Sequence, residues 1–221
     1  MIHQYLLFSL FGFVLGSLLF SFWLPKLICH VDIVALSDDH NPGTANAVKH
    51  AGVFMGIICL LCDLLKGALP VYLALRYLDA RHILFALVMA APVLGHAFSP
   101  WERTHGGKAI AVSFGVLLGL LPFSGALWGL VGLFLLFSLV IVINPHNWRV
   151  MTAFILFGIG CLLRCDVRSV AFGCVLVAAI VCVKHYAGCT GVRPTVSLFG
   201  RKKAAPFAYT DEQQEAEFDK T

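Results

Sequence analysis

AGVFMGIICLLCDLLKGALPVYLAL, residues 51–75, is the stretch on which the fold turns. A helix of roughly 20 apolar residues crosses a bilayer core, and this run carries only two charges, Asp63 and Lys66. Three residues apart, they fall on one helix face. Near mid-bilayer each would cost about 2.5–3.5 kcal/mol on insertion scales, so the pair needs a purpose. Two purposes stay open: a mutually neutralised pair that turns the helix toward a bundle interior, or direct contact with a substrate. Cys59 and Cys62 in the same run have C-x-x-C spacing but no second pair and no polar setting. They read as small packing residues, and no metal is expected.

The rest of the chain has the same character. Of its 221 residues only 13% are charged, against about 25% in soluble domains. Seven apolar segments qualify as spans, at about 4–24, 51–75, 82–98, 109–122, 126–143, 150–163 and 169–184. Pro122, Ser124 and Gly125 divide the fourth from the fifth. The opening MIHQYLLF lacks a basic start and a small-residue cleavage site, so the first segment is expected to be a retained span. The expected fold is all-α, a seven-helix transmembrane domain over residues 1–199 followed by a polar, loosely ordered tail over 200–221.

Seven spans place Lys26, Lys49, Arg103, Lys108, Arg149 and the six basic residues from Lys184 onward on one side, eleven in all. Arg76, Arg81, Arg164 and Arg168, four residues, fall on the other. The positive-inside rule then puts the C-terminus in the cytoplasm and the N-terminus outside. The net charge of +4 sits mostly at span ends, which gives no reason to expect a nucleic-acid partner.

That topology brings two polar loops to the cytoplasmic face. One is DDHNPGTANAVKHAG, residues 38–52, with Asn41, Gly43, Thr44, Asn46 and Lys49; the other is GHAFSPWERTHGGKAIA, residues 95–111, with His96, Gly106, Gly107 and Lys108. Each sets Gly and small polar residues beside a Lys at the start of an apolar helix. Exposed backbone amides at a helix N-terminus form a donor surface for an anion, and a Lys adds a point charge suited to phosphate. Gly-Gly-Lys is not a P-loop, because Ala109 follows Lys108. A His-x4-Asp acyltransferase pair is excluded: Trp101 stands five residues after His96, and no other His has an acid there. No Gly-x-Ser-x-Gly elbow is present either.

At these residues the chain resembles the PlsY family, the seven-span bacterial glycerol-3-phosphate acyltransferases that use acyl phosphate. GSLLFS (16–21) is similar to the family's Gly-Ser-Ile-Pro-Phe-Gly, and DHNPGTANAVK (39–49) to its Ser-Gly-Asn-x-Gly-Ala-Thr-Asn-x-x-Arg. DLLKG (63–67) resembles Asp-x-x-Lys-Gly, and GHAFSPWERTHGGK (95–108) the Gly-His-x-Phe-Pro and Gly-Gly-Lys elements. KHYAG (184–188) faintly resembles the final Arg-His-x-x-Asn, which makes His185 a possible C-terminal site residue. Four positions depart: Asp39 stands at the family's Ser, Lys49 at its Arg, Ala109 at a Gly and Gly188 at the Asn. An Asp where phosphate is bound opposes the anion, so either the phosphate uses Ser37 or Thr44 or the activity is altered.

The resemblance implies transfer of a fatty acyl group from acyl phosphate to glycerol 3-phosphate, giving lysophosphatidic acid and phosphate at the bacterial inner membrane. Acyl phosphate and membrane lipid would be its partners, with no cofactor. Acyl phosphate is already activated, so the task is positioning, which can supply roughly 7–11 kcal/mol of barrier reduction. Asn41, Gly43, Thr44, Asn46 and Lys49 are expected to hold one phosphate. Gly106, Gly107 and Lys108 would hold the other, with His96 orienting a substrate or the loop. A transporter using Asp63 and Lys66 and a non-catalytic scaffold remain as alternatives.

Overall fold

The computed structural model describes residues 2–101, 106–189, 191 and 193–199. The tail 200–221 and Arg103 of the charge argument lie outside the described residues. The first apolar segment forms two helices, α1 (Ile2–Ser17) and α2 (Phe20–Ile28), broken at Leu18 and Leu19. A single turn, α3 (Ile33–Leu36), leads to the polar loop, where a helix rather than a turn begins: α4 (Thr44–Ala51). Gly52 at φ +89° then redirects the chain, a conformation a side chain would resist. The quoted stretch follows as α5 (Val53–Tyr77).

Beyond α5 come α6 (Phe85–Ala97), α7 (Ile110–Gly119) and α8 (Ala126–Leu135), the last extended by a wide turn over Leu136–Val140. The chain then leaves helix altogether. Ile141–Asn144 is a strand, β1, and it pairs antiparallel with β2 (Thr195–Leu198), Ile141 opposite Leu198 and Asn144 opposite Thr195. This short ribbon is a small addition to the expected all-α framework and ends the fifth span before residue 141. Ile141, Val142 and Ile143 are β-branched and favour strand where a partner is available. Between the strands lie α9 (His146–Arg164), which starts four residues before the expected span, and α10 (Arg168–Tyr186).

Among the described residues, four segments are long and apolar enough to cross a membrane: Ile2–Ile28, Val53–Tyr77, His146–Arg164 and Arg168–Tyr186. Three further apolar helices, Phe85–Ala97, Ile110–Gly119 and Ala126–Val140, are shorter. The chain is a multi-pass membrane protein, with Leu7, Leu10, Leu65, Trp128, Ile159 and Leu163 exposed on its outer faces and Phe85, Leu117, Phe154 and Val177 in the core.

Between bilayer helices the hydrophobic drive is weak, so close packing decides which pair. Gly12 and Gly16 of α1 lie against Pro92 of α6, and Gly95 of α6 lies against the Phe13 carbonyl. Gly115 and Gly119 of α7 meet the Leu64 and Ala68 carbonyls of α5, while Gly67 of α5 meets the Val112 carbonyl. A Cβ at Gly16, Gly95, Gly115 or Gly119 would collide with backbone.

The break in the first span explains the buried charges. Helix interruption frees carbonyls that lipid cannot satisfy. Lys66 donates to the Leu18 carbonyl at 2.6 Å, and Ser99 Oγ donates to the Ser17 carbonyl at 2.7 Å. Trp101 Nε1 donates to Ser17 Oγ at 2.6 Å, so the segment after α6 is fastened to the same break.

Candidate active site

A cavity of about 690 Å³ opens where the two polar loops meet. Its polar wall comes from Asp39, Asn41, Thr44 and Asn46 on one side, Lys108 on another, and His96 and His146 deeper or opposite. Its apolar wall comes from Leu60, Leu64, Phe114, Leu118 and Phe134 of α5, α7 and α8. A polar mouth above a lipid-compatible slot suits a substrate with an anionic head and an acyl chain. A second cavity, about 770 Å³, lies at the other end of α9 around Cys161, Arg164 and Asp166 and holds none of the sequence motifs.

The loops are joined by charge. Lys108 Nζ lies 2.7 Å from Asp39 Oδ2. Asn46 Nδ2 donates to Asp39 Oδ1 and to the Asn41 carbonyl, both at 2.8 Å, and the Asn41 amide donates to Asp39 Oδ1 at 3.3 Å. Partial burial pushes the Asp39 carboxyl up, but the bonds from Lys108 and Asn46 outweigh it and hold the group below the usual carboxylate range. Asp39 is therefore an anion at neutral pH. The Ser-to-Asp departure is answered here by a cation from the other loop.

Lys108 reaches this position because of the glycines before it. Gly106 sits at φ +72°, and a Cβ there would strike the Ala97 carbonyl; a Cβ on Gly107 would strike the His96 ring. The Gly107 amide donates to the His96 carbonyl at 2.9 Å. Gly106 and Gly107 thus lay the loop onto the end of α6 and lie behind the cavity wall. Ala109, standing at the family's Gly, takes φ +61° before α7, a left-handed conformation that costs an L-residue roughly 1–2 kcal/mol.

Asp63 and Lys66 form an ion pair of 2.8 Å with both side chains almost fully buried. Asp63 Oδ2 also accepts from Ser21 Oγ at 2.9 Å, and His96 Nδ1 stands 3.9 Å from Asp63 Oδ1. Asp63 touches the cavity floor while Lys66 is turned to Leu18.

The remaining residues divide. Thr44 Oγ1, buried on the cavity wall, has no hydrogen-bond partner among the described residues. Ser37 is buried away from the cavity, its hydroxyl on the Val34 carbonyl at 3.4 Å. Lys49, on α4, points outward and pairs with Asp38 at 3.3 Å. Although it lies one turn beyond the cavity-lining Asn46, its ammonium is drawn to the exposed Asp38 and not to the cavity. His185 is fully buried outside the cavity wall, its Nδ1 donating to the Val181 carbonyl at 2.9 Å.

His146 was missed by sequence reasoning. It lines the cavity at the start of α9 and meets the His185 ring edge-on, centroids 6.2 Å apart. Arg149 holds the approach, donating to the Ile143 carbonyl and Asn144 Oδ1, each at 3.0 Å. Its only signal was a His at a span boundary beside Asn-Pro. At Gly188, a side chain would run into the Asn147 carboxamide, which fills that space instead.

The glycerol-3-phosphate acyltransferase family model matches residues 6–192, which cover all of these residues. The chain belongs to that family. A glycerol-3-phosphate acyltransferase of a Hydrogenobaculum species is 30% identical over 183 residues, 81% of this chain and 88% of its own. The relative from Desulfovibrio desulfuricans is 39% identical over 130 residues, 59% of this chain. The chain spans little more than half the length of that relative and of the Myxococcus xanthus one, 55% and 58%. In fold the chain is similar to the crystal structure of PlsY, an integral membrane glycerol 3-phosphate acyltransferase, in its glycerol 3-phosphate form. The TM-score is 0.71 at 22% identity over 84% of this chain and 90% of that one. Three of the stretches that carry the resemblance, 39–49, 63–67 and 95–108, contribute residues to this one cavity.

Proposed function

We propose that the chain transfers a fatty acyl group from acyl phosphate to glycerol 3-phosphate, releasing lysophosphatidic acid and phosphate. One observation carries this reading: Lys108 and the Asn41–Asn46 segment head a cavity whose inner wall is apolar. Such a shape holds a phosphate at the mouth and an acyl chain within. The hydroxyl oxygen of glycerol 3-phosphate attacks the acyl carbon, and the carbon–oxygen bond to phosphate breaks. The hydroxyl proton leaves with the phosphate, so the reaction balances without a cofactor.

Lys108 is the residue assigned to balance charge on the tetrahedral oxyanion and departing phosphate. Asn41, Gly43, Thr44 and Asn46 would receive the other phosphate, with the unpartnered Thr44 hydroxyl as a donor. Lys49 would draw anions toward the mouth from outside it. Gly106 and Gly107 would shape the Lys108 loop, His96 would orient the floor, and His185 would back His146. Asp63 and Lys66 would serve as a structural pair. Residues 1–199 would form the acyltransferase domain, crossing the plasma membrane seven times with the N-terminus outside and the C-terminus in the cytoplasm, followed by the tail.

Lys108→Met tests the assignment. Met keeps most of the length without the charge, and a lost charge-assisted hydrogen bond is worth roughly 1.5–3 kcal/mol. Release of phosphate from palmitoyl phosphate that depends on glycerol 3-phosphate should fall at least about tenfold, with the melting temperature little changed. Lys108→Arg should restore only part, because a planar fork replaces a compact ammonium. Normal turnover in Lys108→Met would remove this loop from the chemistry.

A further inference from the structure

The cavity presents a problem of selectivity that Lys108 alone makes worse. An ammonium at the mouth of a slot walled by Leu60, Leu64, Phe114, Leu118 and Phe134 is a receptor for any long-chain anion. A free fatty acid fits that description: it has the chain of an acyl phosphate and a carboxylate for a head. Such a molecule would be drawn from the bilayer into the same slot and held there without reacting.

Asp39 changes this balance. Its Oδ2 sits 2.7 Å from Lys108 Nζ on the same cavity wall, so the ammonium already holds a carboxylate. The carboxylate is fixed rather than loosely placed, since Asn46 Nδ2 and the Asn41 amide both donate to Oδ1. Among the described residues, no other Lys or Arg lines the cavity: Lys49 is paired with Asp38 outside it and Lys66 with Asp63 beneath it. A fatty carboxylate that displaced Asp39 would exchange one carboxylate for another and gain nothing. A phosphate dianion brings more charge and three terminal oxygens, so it can engage the ammonium where a single carboxylate gains nothing over Asp39.

We infer that Asp39 is a specificity-determining residue that masks Lys108 against fatty carboxylates while leaving it available to phosphate. Discrimination here comes from an element that penalises the wrong ligand as much as from one that rewards the right one. The inference rests on the acyl-phosphate reading of the cavity, but its test reads binding and not turnover.

The measurement compares palmitate with hexadecanol, which has the same chain and no charge, by titration into the full-length protein in detergent. In the parent protein, palmitate should bind no more than about twofold tighter than hexadecanol. In Asp39→Asn and Asp39→Ser, palmitate should gain about tenfold while hexadecanol is unchanged, as expected when one charge-assisted contact becomes available. Palmitate should then also become an inhibitor of acyl transfer in the variants. Tenfold preference for palmitate in the parent protein would overturn the inference whether or not the variants fold. So would a folded variant, judged by its melting curve, in which palmitate gains nothing. If the parent protein shows no acyl transfer but the binding pattern holds, the activity fails and the masking role stands.

Discussion

At the scale of single residues, the decisive fact is that each cavity-side charge is answered by a specific partner. Lys108 and Asp39 answer each other across two loops, and Lys66 answers Asp63 and a broken helix at once. In the second arrangement both side chains are 1–2% exposed and bonded to the first span, which favours the proposed structural pair. Asp63→Asn should therefore act on stability first. It leaves a buried ammonium without its counter-charge, and breaking such a pair typically costs about 3–5 kcal/mol. A fall of about 10 °C in the melting temperature in detergent is expected. A variant as heat-stable as the parent but inactive would make the pair part of the chemistry instead.

At the scale of elements, helix pairing is decided by glycine. GFVLG (12–16) and GVLLG (115–119) are both Gly-x-x-x-Gly stretches, and each marks a face where another helix's backbone or Pro ring comes into contact. The pattern was present in the sequence and readable from the rule that small residues let bilayer helices approach. Gly115→Leu should unseat α7 from α5, because the obstacle is the Leu64 carbonyl and cannot rotate away. Since α7 begins one residue after Ala109, Lys108 would move with it. Thermal stability and turnover should fall together, with a destabilisation of about 1–3 kcal/mol or more from overpacking. Gly132→Leu on α8 is the control, as nothing lies within reach of a Cβ there. Equal losses in both variants would show that the glycine contact between α5 and α7 is not the cause.

At the scale of the whole molecule, both polar loops, His146 and the ribbon gather at one end of α9, and Arg164 lies at the other. The basic residues divide the same way, Lys49, Lys108 and Arg149 against Arg164 and Arg168. The proposed orientation follows from that division and the positive-inside rule. In a cysteine-free background, Asp38→Cys and Arg164→Cys place single thiols on exposed positions of the two ends. An impermeant maleimide added to intact cells should label position 164 and not 38. Labelling of 38 alone would invert the orientation and put the cavity mouth outside.

Some of this was legible without coordinates because it depends on local chemistry. Apolar run length marked the helices, the clustering of Gly, Asn and Lys marked two loops, and an isolated acid–base pair on one face of an apolar helix marked a bundle interior. These signals are carried by neighbours in sequence, so the sequence by itself determined the helical membrane framework and most of the cavity's polar residues. Tertiary structure decided the rest. The pairing of Asp39 with Lys108 spans 69 positions, and that of Lys66 with the Leu18 carbonyl spans 48. No local pattern encodes such a distance. The strand at Ile141–Asn144 exists only because Thr195–Leu198 supplies its hydrogen bonds. His146 became a cavity residue only when β1 and Arg149 fixed where α9 begins. Lys49, similar in sequence context to Lys108, is paired with Asp38 outside the cavity. Run length and composition are properties of a segment, whereas which charge meets which is a property of how the segments pack.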